Sequence, residues 1–271
     1  MNIRKITEEL GIRPSKKLGQ NFLLHQNTSK MILDWANIPE KANVIEIGPG
    51  LGALTFELME RGHPVFLIEK DRKLFEFLRE KMAWNSRLVN EDVLDFSFED
   101  VFPNESFHLI SNAPYSISTP IIEKALEQKH RTQQMIFLFQ EEVVDRICAI
   151  PGNKDYGRLS IWVQCQCDIE RGPRISRENF FPKPDVESRL VRITPSINPL
   201  VPKNHQEGFL HWVAKIFQHR RKTLRKNLKD MGFDSVAIEK SLSKASYDPM
   251  VRAEVIGISN LFNIFHGLQK L

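Results

Sequence analysis

Residues 43–52, Asn-Val-Ile-Glu-Ile-Gly-Pro-Gly-Leu-Gly, carry an apolar segment straight into a glycine loop, and apolar residues then recur at Leu54, Leu58 and Met59. Strand, glycine turn and helix in that order open a nucleotide-binding α/β fold, because glycine lets the backbone turn sharply and approach a ligand closely. Such an opening demands an acid at the end of the next strand, where it holds ribose hydroxyls. Pro64-Val65-Phe66-Leu67-Ile68-Glu69 meets the demand, with Glu69 21 residues beyond Gly48. A third acid, Asp92, closes Arg87-Leu88-Val89-Asn90-Glu91-Asp92. Gly48, Gly50, Glu69 and Asp92 are the expected ligand contacts; the plainer alternative makes the two acids helix caps or solvated loop residues.

Apolar runs near 43–47, 64–69, 87–91, 107–112 and 134–139 alternate with helical patterns, which predicts a doubly wound, mostly parallel α/β sheet with ligands beyond the carboxyl ends of its strands. After a helix near 141–149, runs at 159–167 and 187–193 are expected to pair antiparallel at one edge. The loop between them contains Phe180 and returns to the ligand end. Pro195, Pro199 and Pro202 mark a linker, after which the periodicity is helical to the end. A chain of 271 residues with 41% hydrophobic content suffices for an α/β domain over 1–200 and a small all-helical domain over 201–271.

The fourth strand ends in Asn112-Ala113-Pro114-Tyr115. An amide oxygen, a carbonyl held outward by the extended backbone before proline, and an aromatic face together suit a flat ring that bears an amino group, such as adenine. That amine is a poor nucleophile because its lone pair is delocalised. Two acceptors, Asn112 and a carbonyl beside Pro114, favour the pyramidal form and aim the pair at an electrophile. A strand end followed by a proline turn is the bland reading of the same four residues.

Gly48-x-Gly50-x-x-Ala53 also fits a loose dinucleotide fingerprint, so the glycine loop alone leaves a dehydrogenase open. The tetrad separates the two. A dehydrogenase has no use for it, whereas S-adenosylmethionine, a sulfonium methyl donor, is the electrophile an amine needs. Tyr115 would cover one face of the base and Phe180 the other; Phe181 reads as the core residue of that pair, although an aromatic beside Pro182 is often a core plug itself.

Charge divides unevenly along the chain. Residues 1–194 hold 26 Lys and Arg against 28 Asp and Glu, net −2, while residues 195–271 hold 12 against 6, net +6. Arg220, Arg221, Lys222, Arg225, Lys226 and Lys229 fall within ten residues that contain no acid, with Leu224 and Leu228 at helical spacing. A solvated face normally mixes signs, so uncompensated cations point to phosphate. Lys16 and Lys17 extend the basic set at the N-terminus, along with Arg4, Lys5 and Arg13.

Cys148, Cys165 and Cys167 lack zinc-type spacing, and Cys165 and Cys167 read as same-side residues of a strand, buried thiols in a reducing compartment. The eight His form no ligand cluster, so no protein-bound metal is expected. The N-terminus has no signal-peptide core and no stretch is long enough to span a membrane, which predicts a cytoplasmic protein.

Five motifs in order then resemble one family, the small-subunit rRNA adenine dimethyltransferases. They are Lys16-Lys17-Leu18-Gly19-Gln20-Asn21-Phe22-Leu23, Glu46-Ile47-Gly48-Pro49-Gly50-Leu51-Gly52, the tetrad at 112–115, Phe180-Phe181-Pro182-Lys183-Pro184-Asp185-Val186-Glu187-Ser188, and Arg220-Arg221-Lys222-Thr223-Leu224-Arg225. The resemblance implies a Rossmann-like S-adenosylmethionine-dependent methyltransferase that dimethylates two adjacent adenines near the 3′ end of 16S rRNA in an assembling small subunit. It implies donor contacts at Asn21, Leu23, Gly48, Glu69, Asp92 and Asn112, and base contacts at Asn112, Tyr115 and Phe180. Ala113 departs from the family's usual Leu or Ile, which reads as a packing change. A 23S rRNA dimethyltransferase of the macrolide-resistance type and a noncatalytic assembly factor remain as alternatives.

Overall fold

The computed structural model describes residues 3–12, 20–82 and 87–269. Among the described residues nine strands form: β1 Phe22–Leu23, β2 Val44–Ile47, β3 Val65–Glu69, β4 Arg87–Asn90, β5 Phe107–Ser111, β6 Thr132–Gln140, β7 Cys167–Ile175, β8 Phe180–Phe181 and β9 Ser188–Pro195. Seven of them make one sheet in the order β4-β3-β2-β5-β6-β9-β7, parallel from β4 to β6 and antiparallel between β6 and β9. β2 lies between β3 and β5, with Val44 opposite both Val65 and His108. The strand order reverses there, which places a crevice beyond the tips of β2 and β5. Every residue of β2, β3 and β5 is buried, the pattern of strands covered on both faces.

The helix Arg72–Lys81 after β3 starts at Asp71, whose side chain accepts from the N–H groups of Lys73 and Leu74. Its Lys73 ammonium reaches back to the carbonyl of Gly11 at 2.9 Å, beyond the helix Ile3–Glu9. Ile3, Ile12, Phe22, Leu51, Leu74 and Phe77 share one apolar cluster, so the N-terminal segment is folded onto the glycine-loop side of the sheet.

The expected edge pair is corrected in one member. Residues 158–164 are a helix, Arg158–Gln164, and the edge strand is β7, Cys167–Ile175. Leu159, Ile161 and Val163 are buried in strand-like alternation, but Ser160 between them is buried too, donating to the carbonyl of Arg146 at 2.6 Å. Gln164 donates to the carbonyls of Ile147 and Ala149 at 2.7 and 2.9 Å. These polar residues satisfy internal backbone groups rather than facing water, which disguised a helix as a strand. β7 was hidden because an edge strand carries charge, here Asp168, Glu170, Arg171 and Arg174. Cys165 therefore ends a helix while Cys167 opens a strand, and both are buried free thiols.

The chain forms two compact units, one of residues 1–144 and 169–195, the other of 145–168 and 196–271. A single division near 200 thus misassigns residues 145–168. They belong to the second unit because Tyr156, Ile161 and Cys165 share its core with Phe209, Trp212 and Leu228, and the Tyr156 hydroxyl donates to the carbonyl of Ile256 at 3.1 Å. Helices Lys203–Ile216, Leu224–Asp230, Ser235–Lys244 and Ile258–Gln269 complete that unit. Among the described residues no helix is long and apolar enough to cross a membrane.

Candidate active site

A cavity of about 370 Å³ opens at the strand tips, within the range of small-molecule sites. Asn21, Leu23, Gly48, Gly50, Glu69, Asp92, Asn112 and Pro114 all line it, so residues from five separate segments converge as expected. Among the described residues no cluster of His, Cys, Asp or Glu has metal-binding geometry.

Gly48 and Gly50 have φ of +66° and +60°, which side chains disfavour. A Cβ on Gly48 would enter open space and obstruct the cavity, whereas one on Gly50 would stand 3.1 Å from the Phe22 ring. Glu69 stitches this loop in place. One carboxylate oxygen accepts the Gly50 N–H at 3.0 Å and the other the Asp71 N–H at 2.8 Å. Burial pushes its carboxyl up to about 7, against the opposing pull of those two N–H groups.

Glu46 also lines the cavity, although sequence reasoning did not select it as a contact. Its carboxylate accepts the Thr55 hydroxyl at 2.7 Å, and burial pushes it up to about 8, with Glu69 adding repulsion. An acid inside the otherwise apolar strand Val44–Ile47 was the available signal. Asp92 stands two residues past β4, where burial works to raise its carboxyl but the Lys70 ammonium and the Leu94 N–H outweigh it and hold it below its ordinary value. One of its oxygens is thus already engaged by a cation.

Asn112 extends from β5, and its Nδ2 donates to the main-chain carbonyl of Asn21 at 3.0 Å. The opposite end of the amide, Oδ1, is the acceptor. A flipped amide would set oxygen against oxygen, so the contact fixes the assignment. Ser111 beside it donates to the Ile47 carbonyl at 2.7 Å and ties the tips of β5 and β2 together. Ala113 is buried outside the cavity lining, as a packing change requires. The Pro114 carbonyl accepts the Ile117 N–H at 3.1 Å in the 3-10 turn Tyr115–Ile117 and keeps a second lone pair. The Tyr115 side chain lies outside the described residues.

Phe180 requires a correction. Its ring is 2% exposed, packs with Leu23, Ile32 and Leu190, and does not line the cavity. Phe181 is the more exposed of the two, reversing the expected division. The cause is the antiparallel pairing of β1 with β8, Phe22 opposite Phe181 and Leu23 opposite Phe180, which turns alternate side chains to opposite faces.

The basic segment differs from the expected helix of six uncompensated cations: the helix begins at Leu224, capped by Thr223, so Arg220, Arg221 and Lys222 precede it in a turn. Arg220 pairs with Glu254 at 3.2 Å and donates to the carbonyls of Lys154 and Tyr156; Lys222 pairs with Asp230 at 2.8 Å; Arg225 pairs with Glu239 at 2.6 Å. Asp230 stands one residue past the acid-free window, and Glu239 and Glu254 come from later elements, so a window of ten residues reveals none of them. Arg221, Lys226 and Lys229 are exposed and have no acidic partner within 4 Å among the described residues. Leu224 and Leu228 are fully buried, so one side of this helix packs as expected. Lys16 and Lys17 lie outside the described residues.

A model of the family described as ribosomal RNA adenine dimethylase matches residues 12–269. The ribosomal RNA small subunit methyltransferase A of Clostridium botulinum strain Okra is 36% identical over 261 residues, 95% of each chain. Its counterpart in Bacillus cytotoxicus is 36% identical, covering 98% of this chain and 94% of its own. Among solved structures, the 23S rRNA methyltransferase ErmE superposes with a TM-score of 0.71 at 25% identity, covering 92% of this chain and 99% of its own. A dimethyladenosine transferase from Plasmodium falciparum shares the fold, with a TM-score of 0.75 at 21% identity and coverage of 92% and 98%. The family match runs through both compact units, and the chain belongs to the ribosomal RNA adenine dimethylase family.

Proposed function

We propose that this chain dimethylates the exocyclic amines of two adjacent adenines near the 3′ end of 16S rRNA, within an assembling small ribosomal subunit in the cytoplasm. As a family member it is an rRNA adenine dimethyltransferase that uses S-adenosylmethionine. The finer choice of 16S rests on relatives at 36% identity named for the small subunit, against 25% for the 23S enzyme, and on the Lys16–Leu23 and Arg220–Arg225 motifs. Intact Asn112, Pro114 and Tyr115 argue against a noncatalytic assembly factor. Buried free cysteines suit a reducing compartment.

The donor set of the cavity fits S-adenosylmethionine. A buried carboxylate at Glu69 suits ribose hydroxyls, the open space beside Gly48 admits close approach of the ligand, and Asp92 retains an oxygen lone pair for an adenine amino group. Asn21, Leu23 and Gly50 complete the wall. When bound, this donor supplies an electrophilic methyl group.

The residues of the chain supply position and electrostatics. Asn112 Oδ1 and the carbonyl beside Pro114 accept the two N–H bonds of the target amine, so that its lone pair points away from the protein. Tyr115 covers one face of the base. No strong base is needed, because the nitrogen becomes acidic once alkylated and releases its proton to solvent. Arg221, Lys226 and Lys229, with Lys16 and Lys17, meet RNA phosphates, and a loop or helix end presents adenines more cheaply than a duplex.

The observation that carries this reading is the Asn112 to Asn21 hydrogen bond, which commits the nitrogen end of the amide to the Asn21 carbonyl and leaves Oδ1 as the acceptor for the target amine. The test incubates the protein with labelled donor and, in parallel, with small and large subunits from a strain lacking the modification, then analyses the nucleosides of each rRNA. Dimethyladenosine is expected in 16S rRNA, and Asn112→Ala should raise the barrier by about 2 to 4 kcal/mol. Label confined to 23S rRNA, or near-normal turnover by Asn112→Ala, would overturn the reading.

A further inference from the structure

The segment from Asn21 to Leu24 is held by four different parts of the first unit. The Asn21 carbonyl accepts from Asn112; the Phe22 ring abuts the Gly50 loop; Phe22 and Leu23 pair with Phe181 and Phe180; and the Leu24 N–H donates to the carbonyl of Asn179 at 2.8 Å. Two strands of two residues each are too short to hold their own register. A side-chain pair supplies the missing restraint. Thr28, in the helix Gln26–Ala36, donates its hydroxyl to Asn179 Oδ1 at 2.7 Å, while Asn179 Nδ2 donates to the Ser176 carbonyl at 3.0 Å. Thr28 is buried, and neither residue lines the cavity.

We infer that Thr28 and Asn179 are positioning residues for methyl transfer, clamping the β1–β8 pair so that the Asn21 carbonyl holds the Asn112 amide with its oxygen toward the target amine. The inference rests on the proposed role of Asn112. The two ends of an amide are nearly the same shape, so hydrogen bonds alone decide which end faces the substrate. Asn112 inverted would present two donors to a group that itself donates, and the acceptor arrangement that localises the amine lone pair would be lost. A carbonyl displaced by about an ångström no longer enforces the choice. Thr28 thus acts on the reacting geometry through three links: its bond to Asn179, the strand pair, and the carbonyl of Asn21.

Thr28→Val keeps the shape of the side chain and removes the hydroxyl, whereas Thr28→Ser keeps the hydroxyl. Full-length variants are assayed on hypomethylated small subunits at saturating donor, donor affinity is measured by calorimetry, and exchange of the Asn112 side-chain amide protons is followed in protein labelled at asparagine, with Asn112→Ala providing the assignment. Thr28→Val should lower kcat roughly threefold to tenfold, accelerate exchange of the Asn112 amide by a similar factor, and change donor Kd by less than about twofold. Thr28→Ser should restore all three, and Asn179→Ala should reproduce the defect if Thr28→Val folds poorly. Unchanged kcat and amide exchange in both Thr28→Val and Asn179→Ala, alongside an inactive Asn112→Ala, overturn this inference and leave the role of Asn112 standing. Near-normal turnover by Asn112→Ala instead overturns the underlying reading.

Discussion

The Gly50 N–H donates to Glu69 Oε2 at 3.0 Å, so the glycine loop and the acid at the tip of the next strand are fastened to each other. With its carboxyl raised to about 7 by burial, Glu69 is half protonated near neutrality. Ribose hydroxyls donate best to the ionised form, so donor affinity should rise as pH climbs from 6 to 8, by about tenfold for a group titrating near 7. Calorimetry across that range checks it. Glu69→Gln should bind weakly and show a flat profile; a flat profile in the unaltered protein removes Glu69 from ligand binding.

Glu46 couples the stability of the fold, rather than donor affinity, to pH, and with the opposite sign. Its carboxyl stays protonated in the fold up to about 8 because of burial, while in the unfolded chain it ionises near its ordinary value. Stability contributed by this group is therefore full at acid pH and declines as pH rises from about 4.5 to 8. Glu46→Gln keeps an acceptor for Thr55 and should stabilise the ligand-free protein at pH 7 by about 3 kcal/mol, with no gain below about pH 4.5. Urea titrations at both pH values decide it.

Two sets of cations in the segment 220–229 should behave differently. Replacing Arg221, Lys226 and Lys229 with Gln should weaken rRNA binding and reduce the salt slope by about 0.7 to 0.9 per lost phosphate contact, with the melting temperature unchanged. Replacing Arg220, Lys222 and Arg225, which pair with Glu254, Asp230 and Glu239, should affect the salt slope less. Equal slopes for the two triple variants would move the RNA surface elsewhere.

Phe180 is a core residue in this fold, so Phe180→Ala should cost about 3 to 5 kcal/mol of stability, and Phe181→Ala clearly less. Phe180→Leu fills most of the space and should retain kcat within about threefold. A much larger kcat loss without a fall in melting temperature would return the ring to a base-holding role, since stacking on a base is worth about 1 to 3 kcal/mol.

The parallel sheet and its ligand end were legible because buried strands and a glycine loop write themselves as local patterns: Val44–Ile47, Val65–Glu69 and the Asn112 tetrad all fall where the periodicity put them. What escaped was set by partners distant in sequence. Ser160 looked like the polar half of a strand because its backbone partner at Arg146 is invisible locally. Arg225 looked unpaired because Glu239 lies on the next helix. Phe180 and Phe181 are chemically identical, and only pairing with Phe22 and Leu23 tells which of them faces inward. Asn179 carried no chemical signature at all, since its meaning depends on Thr28 and Leu24.

The insertion of residues 145–168 into the second unit has a consequence for inheritance. The polypeptide passes from one unit to the other at three points, so neither unit is a contiguous cassette that recombination can cut out at a single junction. A gene fragment that stops at Pro195 would carry Tyr156, Ile161 and Cys165 without Phe209, Trp212 and Leu228, leaving orphaned core residues exposed. Exchange of the helical unit between relatives therefore calls for two coordinated grafts, and its sequence is expected to diverge in step with a stretch of chain that lies well upstream of it.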